Sequence, residues 1–552
     1  MSCRYVMQQC LPLARFICLP LCLLSFLSSS FIVVKAADVT QRGGSGLRNN
    51  VSTETGAPTV WDVDAKEGVK WSRELGSITY GGPVVADGQV YVATNNDAAY
   101  LEKYPNNIDM GCLLCFSEET GDFLWQLSRP KLEAGDDYDW AHQGICSDPY
   151  VEENRLWIVT NRCEVLCLDT AGFSDQKNDG SVTDEVDQDI QSADIIWQLD
   201  MLNDLGVQPR NMTTCSITGA GDLIFVSTSN GVADVDSVTE ENPVPAPEAP
   251  SFLAINKTTG KIVWSDNRPG PNLLQGVWSS PAYAVIDGRA QVIFAAGDGY
   301  CYGFDPAGDG DGNSRLLWKF DCNPKSSVWD PFDQEGRNNL IATPVVHDGI
   351  VYIAVGQDPE IGDGPGCLWA ISPNKQGDVS PTLVVDKNNK PVPPRRIQAL
   401  DEDAGEKEVP NPNSALVWKY TGEDRDGSGS VDLEEEMSRA IASVTIQDDI
   451  LVIGCFSGVV HCLDSKTGKP HWSYDMFAHL WGAALIVEDK IYLGDEDGDL
   501  AIFELSIDPE VAMAEGEPHE EISMGAAIYT SPVFANGTLY ISTANTLFAL
   551  EK

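Results

Sequence analysis

One short apolar segment recurs eight times along the chain and constrains its fold more than any other feature. Each copy spans about five residues, and the third position is small in seven of the eight copies. The copies are Leu113–Ser117, Val165–Asp169, Phe252–Asn256, Cys301–Asp305, Leu368–Ser372, Val460–Asp464, Leu500–Glu504 and Leu547–Glu551. Self-similarity of this kind identifies a repeat architecture in which every copy belongs to one supersecondary unit.

Three more strands accompany each copy of the segment. A β-branched or aromatic strand precedes it, often after a hairpin turn such as Asp87-Gly88, and another strand begins next to a proline, as at Ser280-Pro281. The last strand carries a tryptophan in seven units, and Glu520 takes this place in the remaining one. The seven tryptophans are Trp71, Trp125, Trp197, Trp264, Trp318, Trp418 and Trp472.

Eight units of four strands predict an all-β fold, an eight-bladed β-propeller of four-stranded blades over residues 58–552. Radial repetition leaves few exposed strand edges, and a flat indole can fill the wedge between adjacent blades. The strict alternation and the turn residues exclude a helical solenoid.

Residues 1–36 have the pattern of a signal peptide. Arg4 and Arg15 precede the apolar run Phe16–Val34, and Val34-Lys35-Ala36 forms a small-residue cleavage signal. An uncleaved anchor helix is the alternative, because the run is nearly long enough to span a bilayer. We expect cleavage, export to the periplasm or cell envelope, no stable membrane insertion afterwards, and a flexible mature N-terminus over residues 37–57.

The chain is strongly acidic, with a formal net charge of −47. Such a surface repels phosphate backbones, which excludes nucleic acid as a partner class. Two explanations account for this charge. The chain needs solubility in a salty or exposed compartment, which requires no partner, or it presents an acidic recognition surface.

Eleven cysteines follow residue 36, an odd number that cannot be fully paired within one chain. Cys115, Cys167 and Cys462 occupy the small third position of the repeat, so we interpret them as small buried residues. A redox or metal role for Cys112 and Cys115, which form a lone C-x-x-C, is the weaker alternative.

A loop at residues 424–435 has the ligand spacing of an EF-hand calcium site. Oxygen donors fall at positions 1, 3, 5, 7, 9 and 12 of the motif, and Gly429 stands at position 6, where the loop turns sharply. The donors are Asp424, Asp426, Ser428, Ser430 through its carbonyl, Asp432 and Glu435. The sequence predicts a structural calcium ion here, and a solvated acidic connection is the alternative. The run that begins at Asp309 lacks the later ligands and is interpreted as a plain loop.

The mouth of the central channel is the second candidate site. Residues just before the proline-linked strands should cluster there, and aromatic groups with a few polar groups suit a binding pocket. The candidates are Trp140, His142, Trp278, Arg439, Trp481 and Tyr529. Ordinary packing of the repeat ends explains the same residues equally well.

The repeat at Asp464-Ser-Lys-Thr-Gly-Lys-Pro-His-Trp472 resembles that of the PQQ-like (pyrroloquinoline quinone-like) propeller superfamily. This superfamily includes quinoprotein alcohol dehydrogenases and BamB-like outer-membrane assembly factors, and the chain is most similar to exported PQQ-like proteins of planctomycete-type bacteria. The dehydrogenases bind PQQ against an adjacent Cys-Cys pair, which this sequence lacks. The resemblance therefore implies a non-catalytic binding or scaffold protein of the cell envelope with envelope proteins as partners, which we expect to act as a monomer without PQQ. A PQQ- or other ligand-dependent oxidoreductase is the alternative.

Overall fold

The computed structural model describes residues 37–133, 135, 138–232, 244–330 and 336–552. The leader predicted at residues 1–36 lies outside them. Within the described ranges, the chain forms eight four-stranded antiparallel blades, and in seven of them the strands follow the order of the sequence from the central channel outwards. The prediction of an all-β, eight-bladed propeller is confirmed.

The innermost strand of every blade is short, and the two middle strands are almost entirely buried. Blades 1 to 4 comprise Val84–Ala86, Gln89–Asn95, Met110–Ser117 and Phe123–Pro130; Tyr150–Glu152, Arg155–Thr160, Glu164–Asp169 and Asp194–Asp200; Thr218–Ala220, Leu223–Ser227, Phe252–Asn256 and Ile262–Asp266; and Ala282–Ile286, Arg289–Ala295, Tyr300–Phe304 and Leu316–Asp321. Blades 5 to 7 comprise Val345–His347, Ile350–Ala354, Leu368–Ile371 and Leu416–Tyr420; Thr445–Gln447, Ile450–Gly454, Val459–Asp464 and Pro470–Asp475; and Leu485–Val487, Lys490–Gly494, Asp499–Glu504 and Glu520–Ser523.

Blade 8 joins the two ends of the ring. Its inner three strands, Val533–Ala535, Thr538–Ser542 and Thr546–Leu550, come from the end of the chain, and its outer strand, Val69–Glu74, comes from the beginning. Because residues nearly 500 positions apart must pair, the ring closes only when the last repeat is present.

Several smaller elements are added to this ring. Val51–Ser52 and Gly377–Asp378 add short parallel strands to blades 7 and 4, and Thr382–Val385 pairs with Lys407–Pro410 in a separate hairpin. Among the described residues, the helices are the short α-helices Met201–Leu205 and Pro509–Ala512 and the 3-10 turns Gly172–Asp175, Gly270–Asn272 and Pro359–Ile361. In the described part of the chain, no helix is long and apolar enough to cross a membrane.

The repeated tryptophans tie each blade to the next. Each one pairs across its blade with the small third position of the repeat, as Trp472 does with Cys462. Its indole N–H usually reaches a turn carbonyl of the following blade, as from Trp472 to Ser506 at 2.8 Å. The turn glycine of the following blade packs on the ring: a Cβ at Gly468 would lie 2.5 Å from Trp418. The small repeat cysteines therefore leave room for an indole, and all eleven described cysteines are buried and unpaired.

The blade without this tryptophan uses an indole from another part of the chain. Glu520 is exposed and pairs with Ile502, the one large residue at the third position. Trp61, only 5% exposed, joins Ile502 in one apolar cluster and directs its N–H at Met524. An indole thus still fills the interface between blades 7 and 8.

The segment before the first repeat does not behave as predicted. Residues 37–54, which we call the N-terminal strap, run around the inside of the ring and contact the innermost strand region of every blade. In blades 1, 2, 4 and 5, the N–H groups of Val85, Val151, Tyr283 and Val346 donate to strap carbonyls at 2.8–3.0 Å. The expectation of a flexible segment at residues 37–57 is therefore wrong, because the strap supplies hydrogen-bond acceptors to N–H groups that face the channel.

The other four blades use side chains of the strap or a short parallel pairing. Thr218 of blade 3 donates to Gln41, and Asn49 exchanges two hydrogen bonds with the backbone of Ile446 in blade 6. Val51 pairs in parallel with Ile486 of blade 7. Asn50 reaches the carbonyl just before the innermost strand of blade 8, at Pro532. Polar residues thus hold the strap in place.

Candidate functional site

Eight equivalent residues surround one end of the central channel. Each stands four positions before the first residue of an innermost strand, and all eight line a single cavity of about 230 Å³. In blade order from blade 1 they are Tyr80, Cys146, Thr214, Trp278, Ile341, Ile441, Trp481 and Tyr529. We call them the mouth residues. The repeat therefore places one side chain per blade around the cavity.

A belt of hydrogen bonds beneath the mouth residues fixes their spacing. It is formed two positions after the mouth residue, where at five of the eight blade junctions a backbone N–H donates to the side chain at the equivalent position of the next blade. Gly82 donates to Asp148 at 2.6 Å, Asp148 to Ser216 at 3.0 Å, and Ser216 to Ser280 at 2.9 Å. Two further junctions, from Thr343 to Ser443 and from Ala483 to Ser531, follow the same rule. These bonds make the cavity wall a rigid part of the scaffold.

Aromatic rings are concentrated on one side of the cavity. Tyr80, Trp481 and Tyr529, which precede blades 1, 7 and 8, are in mutual contact with ring centroids 5.0–5.6 Å apart. Trp481 is held by its N–H, which donates to Glu496 at 2.9 Å, and by the edge of Phe456. Burial raises the pKa of Tyr80 and of Tyr529 above the usual tyrosine value. This wall offers fixed aromatic surface with neutral hydroxyl groups.

The charged groups of the cavity come partly from the strap. Arg42 lines the cavity and lies 3.6 Å from the carboxylate of Asp148. Burial raises the pKa of Asp148, while Arg42 and the N–H of Gly82 act in the opposite direction. The cavity therefore combines mostly apolar walls with a few placed polar groups, the usual composition of a small-ligand pocket.

Two cysteines also line the cavity, on neighbouring blades. Burial raises the pKa of Cys146 to about 12, and it also raises that of Cys215. Because the thiolate is the nucleophile and metal ligand, these protonated thiols behave as small apolar wall residues at neutral pH.

The structure brings four of the six predicted mouth candidates together. Trp278, Trp481 and Tyr529 are mouth residues, and Trp140 lines the same cavity from the long connection before blade 2. Whether this cavity binds a ligand stays a prediction. His142 and Arg439 are not among the cavity-lining residues.

His142 and Arg439 lie outside the cavity lining for different physical reasons. His142 is exposed, in a turn with φ of 63°, because the connection before blade 2 is longer and puts Cys146 at the equivalent position. Arg439 lies two residues before Ile441, the true mouth residue of blade 6. Arg439 is 1% exposed, and its guanidinium donates to Asn338 at 2.7 Å, so it supports the scaffold.

Sequence reasoning missed Tyr80, Cys146, Thr214, Ile341 and Ile441. The signal was available in the regular spacing before each innermost strand, as in Tyr80-Gly-Gly-Pro83 and Tyr529-Thr-Ser-Pro532. A strict count of four residues back from each strand start finds the whole ring.

The loop at residues 424–435 brings three of its six predicted calcium ligands together. Oxygens of Asp424, Asp426 and Glu435 lie within 4.8 Å of one another, the one group of potential metal ligands of this kind among the described residues. Glu435 is 6% exposed and accepts the N–H groups of Arg425 and Asp426. Hard carboxylate oxygens suit Ca²⁺, so the donor set fits the ion.

The remaining three predicted ligands are engaged within the loop. The hydroxyl of Ser428 donates to the carbonyl of Ser430 at 3.0 Å, and that of Ser430 donates to Asp432 at 3.1 Å. Asp432 is not part of the carboxylate cluster. Gly429 has φ of 95°, which allows the sharp turn that the spacing requires. Occupation by calcium stays a prediction.

One known family matches part of the second half of the ring. Residues 395–509 match the family described as outer membrane protein assembly factor BamB. This match covers blade 6 and most of blade 7, whose repeat recurs in the other blades. Within residues 395–509, the repeat is similar to that of the PQQ-like β-propeller superfamily. No curated protein matches the sequence of this propeller.

Similar solved structures include three proteins of different origin. BamB from Moraxella catarrhalis is 13% identical over 88% of this chain and 97% of its own, with a TM-score of 0.48. The computationally designed Ika8 protein is 11% identical over 88% and 99%, with a TM-score of 0.45. The quinohemoprotein alcohol dehydrogenase from Comamonas testosteroni is 12% identical over 93% and 80%, also with a TM-score of 0.45.

Proposed function

We propose that this propeller is a non-catalytic, exported binding or scaffold protein of the cell envelope, and that a ligand group enters the cavity at the channel mouth. The observation that carries the proposal is the ring of mouth residues, one from each blade, around a cavity of about 230 Å³. Apolar and aromatic walls with a few fixed polar groups favour binding of an aromatic or aliphatic group.

Three further observations support a binding role. The belt of hydrogen bonds from Gly82 to Ser280 holds the wall in one geometry, which lowers the entropy lost on binding. The match to the BamB family favours protein partners in the envelope. The cavity thiols, Cys146 and Cys215, come from different blades, so they do not form the adjacent pair found in PQQ-dependent dehydrogenases.

A capture experiment tests the proposal with a matched pair of variants. Tyr529→Ala removes a cavity wall residue, whereas Tyr474→Ala removes a tyrosine of similar exposure from the outer strand of blade 6. Immobilised mature protein is incubated with solubilised native envelope, and bound proteins are identified by mass spectrometry. We expect one set of partners to bind the wild type and Tyr474→Ala but not Tyr529→Ala.

The oxidoreductase alternative is tested on the same preparation. Purified protein is mixed with PQQ and calcium, and reduction of an artificial electron acceptor is followed with a panel of alcohols and aldoses. Cofactor absorbance that stays with the protein, together with acceptor reduction, would refute the non-catalytic role. Identical capture by both tyrosine variants would refute the part assigned to the cavity.

We also propose that the 424–435 loop holds a structural calcium ion. Asp424, Asp426 and Glu435 supply the clustered oxygens, and the ion would hold together the connection between blades 5 and 6. Calorimetric titration of Ca²⁺ into chelator-treated protein should show one binding event. Asp424→Ala should abolish it, and Asp309→Ala, in the acidic loop that lacks the later ligands, should leave it unchanged. An unaltered isotherm in Asp424→Ala would exclude this loop as the site.

A further inference from the structure

The two ends of the N-terminal strap meet at one carboxylate. The backbone nitrogen of Ala37 donates to Oε1 of Glu54 at 2.7 Å. The same carboxylate accepts the N–H groups of Asn536 at 2.9 Å and Gly537 at 2.8 Å, in the turn that follows the innermost strand of blade 8. Glu54 is 5% exposed. A buried acid therefore sits where the strap completes its circuit of the channel, and these three partners are neutral N–H groups.

The neighbouring residue fixes the position of Ala37. One oxygen of Asp38 accepts the side-chain N–H of Asn536 at 2.9 Å, and the other accepts the backbone N–H of Asp87 at 3.0 Å. Asp38 thus links the hairpin turns of blades 8 and 1. The nitrogen of Ala37 is held against Glu54 by this anchor.

The sequence places the predicted leader cleavage at this same nitrogen. Val34-Lys35-Ala36 puts the scissile bond between Ala36 and Ala37. Hydrolysis adds water across that bond: the carbonyl of Ala36 leaves as a carboxylate, and the nitrogen of Ala37 becomes a primary amine that is protonated at neutral pH. The group facing Glu54 then changes from a neutral amide into a cation.

We propose that Glu54 is the receptor for the α-ammonium group created at Ala37 by leader cleavage. Processing then replaces a hydrogen bond from a neutral N–H with an ion pair, which is the stronger interaction and fastens the two ends of the strap together. The inference rests on the export included in the proposed function. It assigns a cleavage position, Ala36–Ala37, and a partner for the new terminus.

The test compares chains that differ at this nitrogen and at its partner. One form of residues 37–552 begins at Ala37, and a second carries a Gly-Ser extension that keeps the nitrogen of Ala37 in an amide. Glu54→Gln removes the charge but keeps an acceptor for the backbone N–H groups. Glu488→Gln is the matched control, since that carboxylate accepts the N–H of Gly56 next to the strap.

The readout is the acetylation rate of the Ala37 amine at pH 7.5, followed by mass spectrometry. Ion pairing that shifts the protonation equilibrium of the amine by about a factor of ten lowers its reactive neutral fraction, so we expect acetylation about sevenfold slower in the wild type than in Glu54→Gln. Glu488→Gln should match the wild type. The thermal midpoint should fall more on Glu54→Gln in the chain that begins at Ala37 than in the extended chain.

Equal acetylation rates in the wild type and Glu54→Gln would overturn the proposal. If Glu54→Gln does not fold, the extended and processed wild-type chains still decide the matter, because equal thermal midpoints at pH 7 would also overturn it. N-terminal sequencing of the exported protein must begin at Ala37, and any other start refutes the assignment. Failure to capture an envelope partner would count against the proposed function alone.

Discussion

Replacing Arg48 with methionine should destabilise the whole ring, because this buried arginine fastens the strap to two blades. Its guanidinium donates to the carbonyls of Pro281 at 2.8 Å, Ser216 at 2.6 Å and Arg42 at 3.1 Å. Hydrogen bonds from a charged donor contribute about 1.5–3 kcal/mol each. Burial lowers the pKa of Arg48 to about 10, which corresponds to roughly 3 kcal/mol of opposing desolvation. The net loss on Arg48→Met should be about 1.5–6 kcal/mol.

The matched control is an arginine with the same number of carbonyl partners at the surface. Arg73 donates to the carbonyls of Gly121, Ser72 and Thr120, but its side chain is 30% exposed. Arg73→Met should cost no more than about 1 kcal/mol, since water replaces the lost bonds. Urea unfolding followed by tryptophan fluorescence measures both, and amide exchange at Tyr283 should accelerate only in Arg48→Met. Equal losses in the two variants would refute the structural role of the strap.

Three other substitutions probe the scaffold. Burial raises the pKa of Asp298 to about 6, so the stability that this carboxyl contributes is present below its unfolded pKa near 3.8 and is lost as the pH rises through 6. Relative to Asp298→Asn, the wild type should lose roughly 3 kcal/mol of unfolding free energy between pH 3.5 and 7.5. A difference between the two proteins that does not change with pH would contradict this. Trp61→Ala and Trp264→Ala should each cost about 3–5 kcal/mol in calorimetry, because both indoles fill a blade interface. Gly468→Ala should cost about 2–4 kcal/mol, against about 1 kcal/mol for Gly288→Ala, because both have positive φ but only Gly468 abuts an indole.

The blades were predictable because their signals are local. Alternation within each strand, turn pairs such as Asp87-Gly88 and a tryptophan such as Trp264 opposite a small residue all lie within one unit of about 50 residues. The same logic correctly identified Glu520 as the exception. Trp61, which supplies the missing indole, lies outside the repeat, so no alignment of repeats could assign it.

The strap was not predictable in the same way. Its residues are mostly polar or small, as in Gln41, Asn49 and Asn50, a composition typical of a linker. They are at least partly buried because they exchange hydrogen bonds with residues in or next to strands hundreds of residues away, and no local pattern records that partnership. The mouth residues were partly predictable. Their spacing before each innermost strand is regular, but in the long connection before blade 2 the sequence analysis selected His142 instead of Cys146.

The strap's circuit changes how the propeller should come apart. In most repeat proteins each unit contacts only its neighbours, so unfolding can begin at one end and spread. Here one short segment bonds to blades on opposite sides of the channel, such as those of Val85 and Val346, so losing any blade weakens distant ones. The strap is also the first part of the ring to be synthesised and one of the last to find all its partners. Folding should therefore be slow and nearly all-or-none, with few stable partial rings.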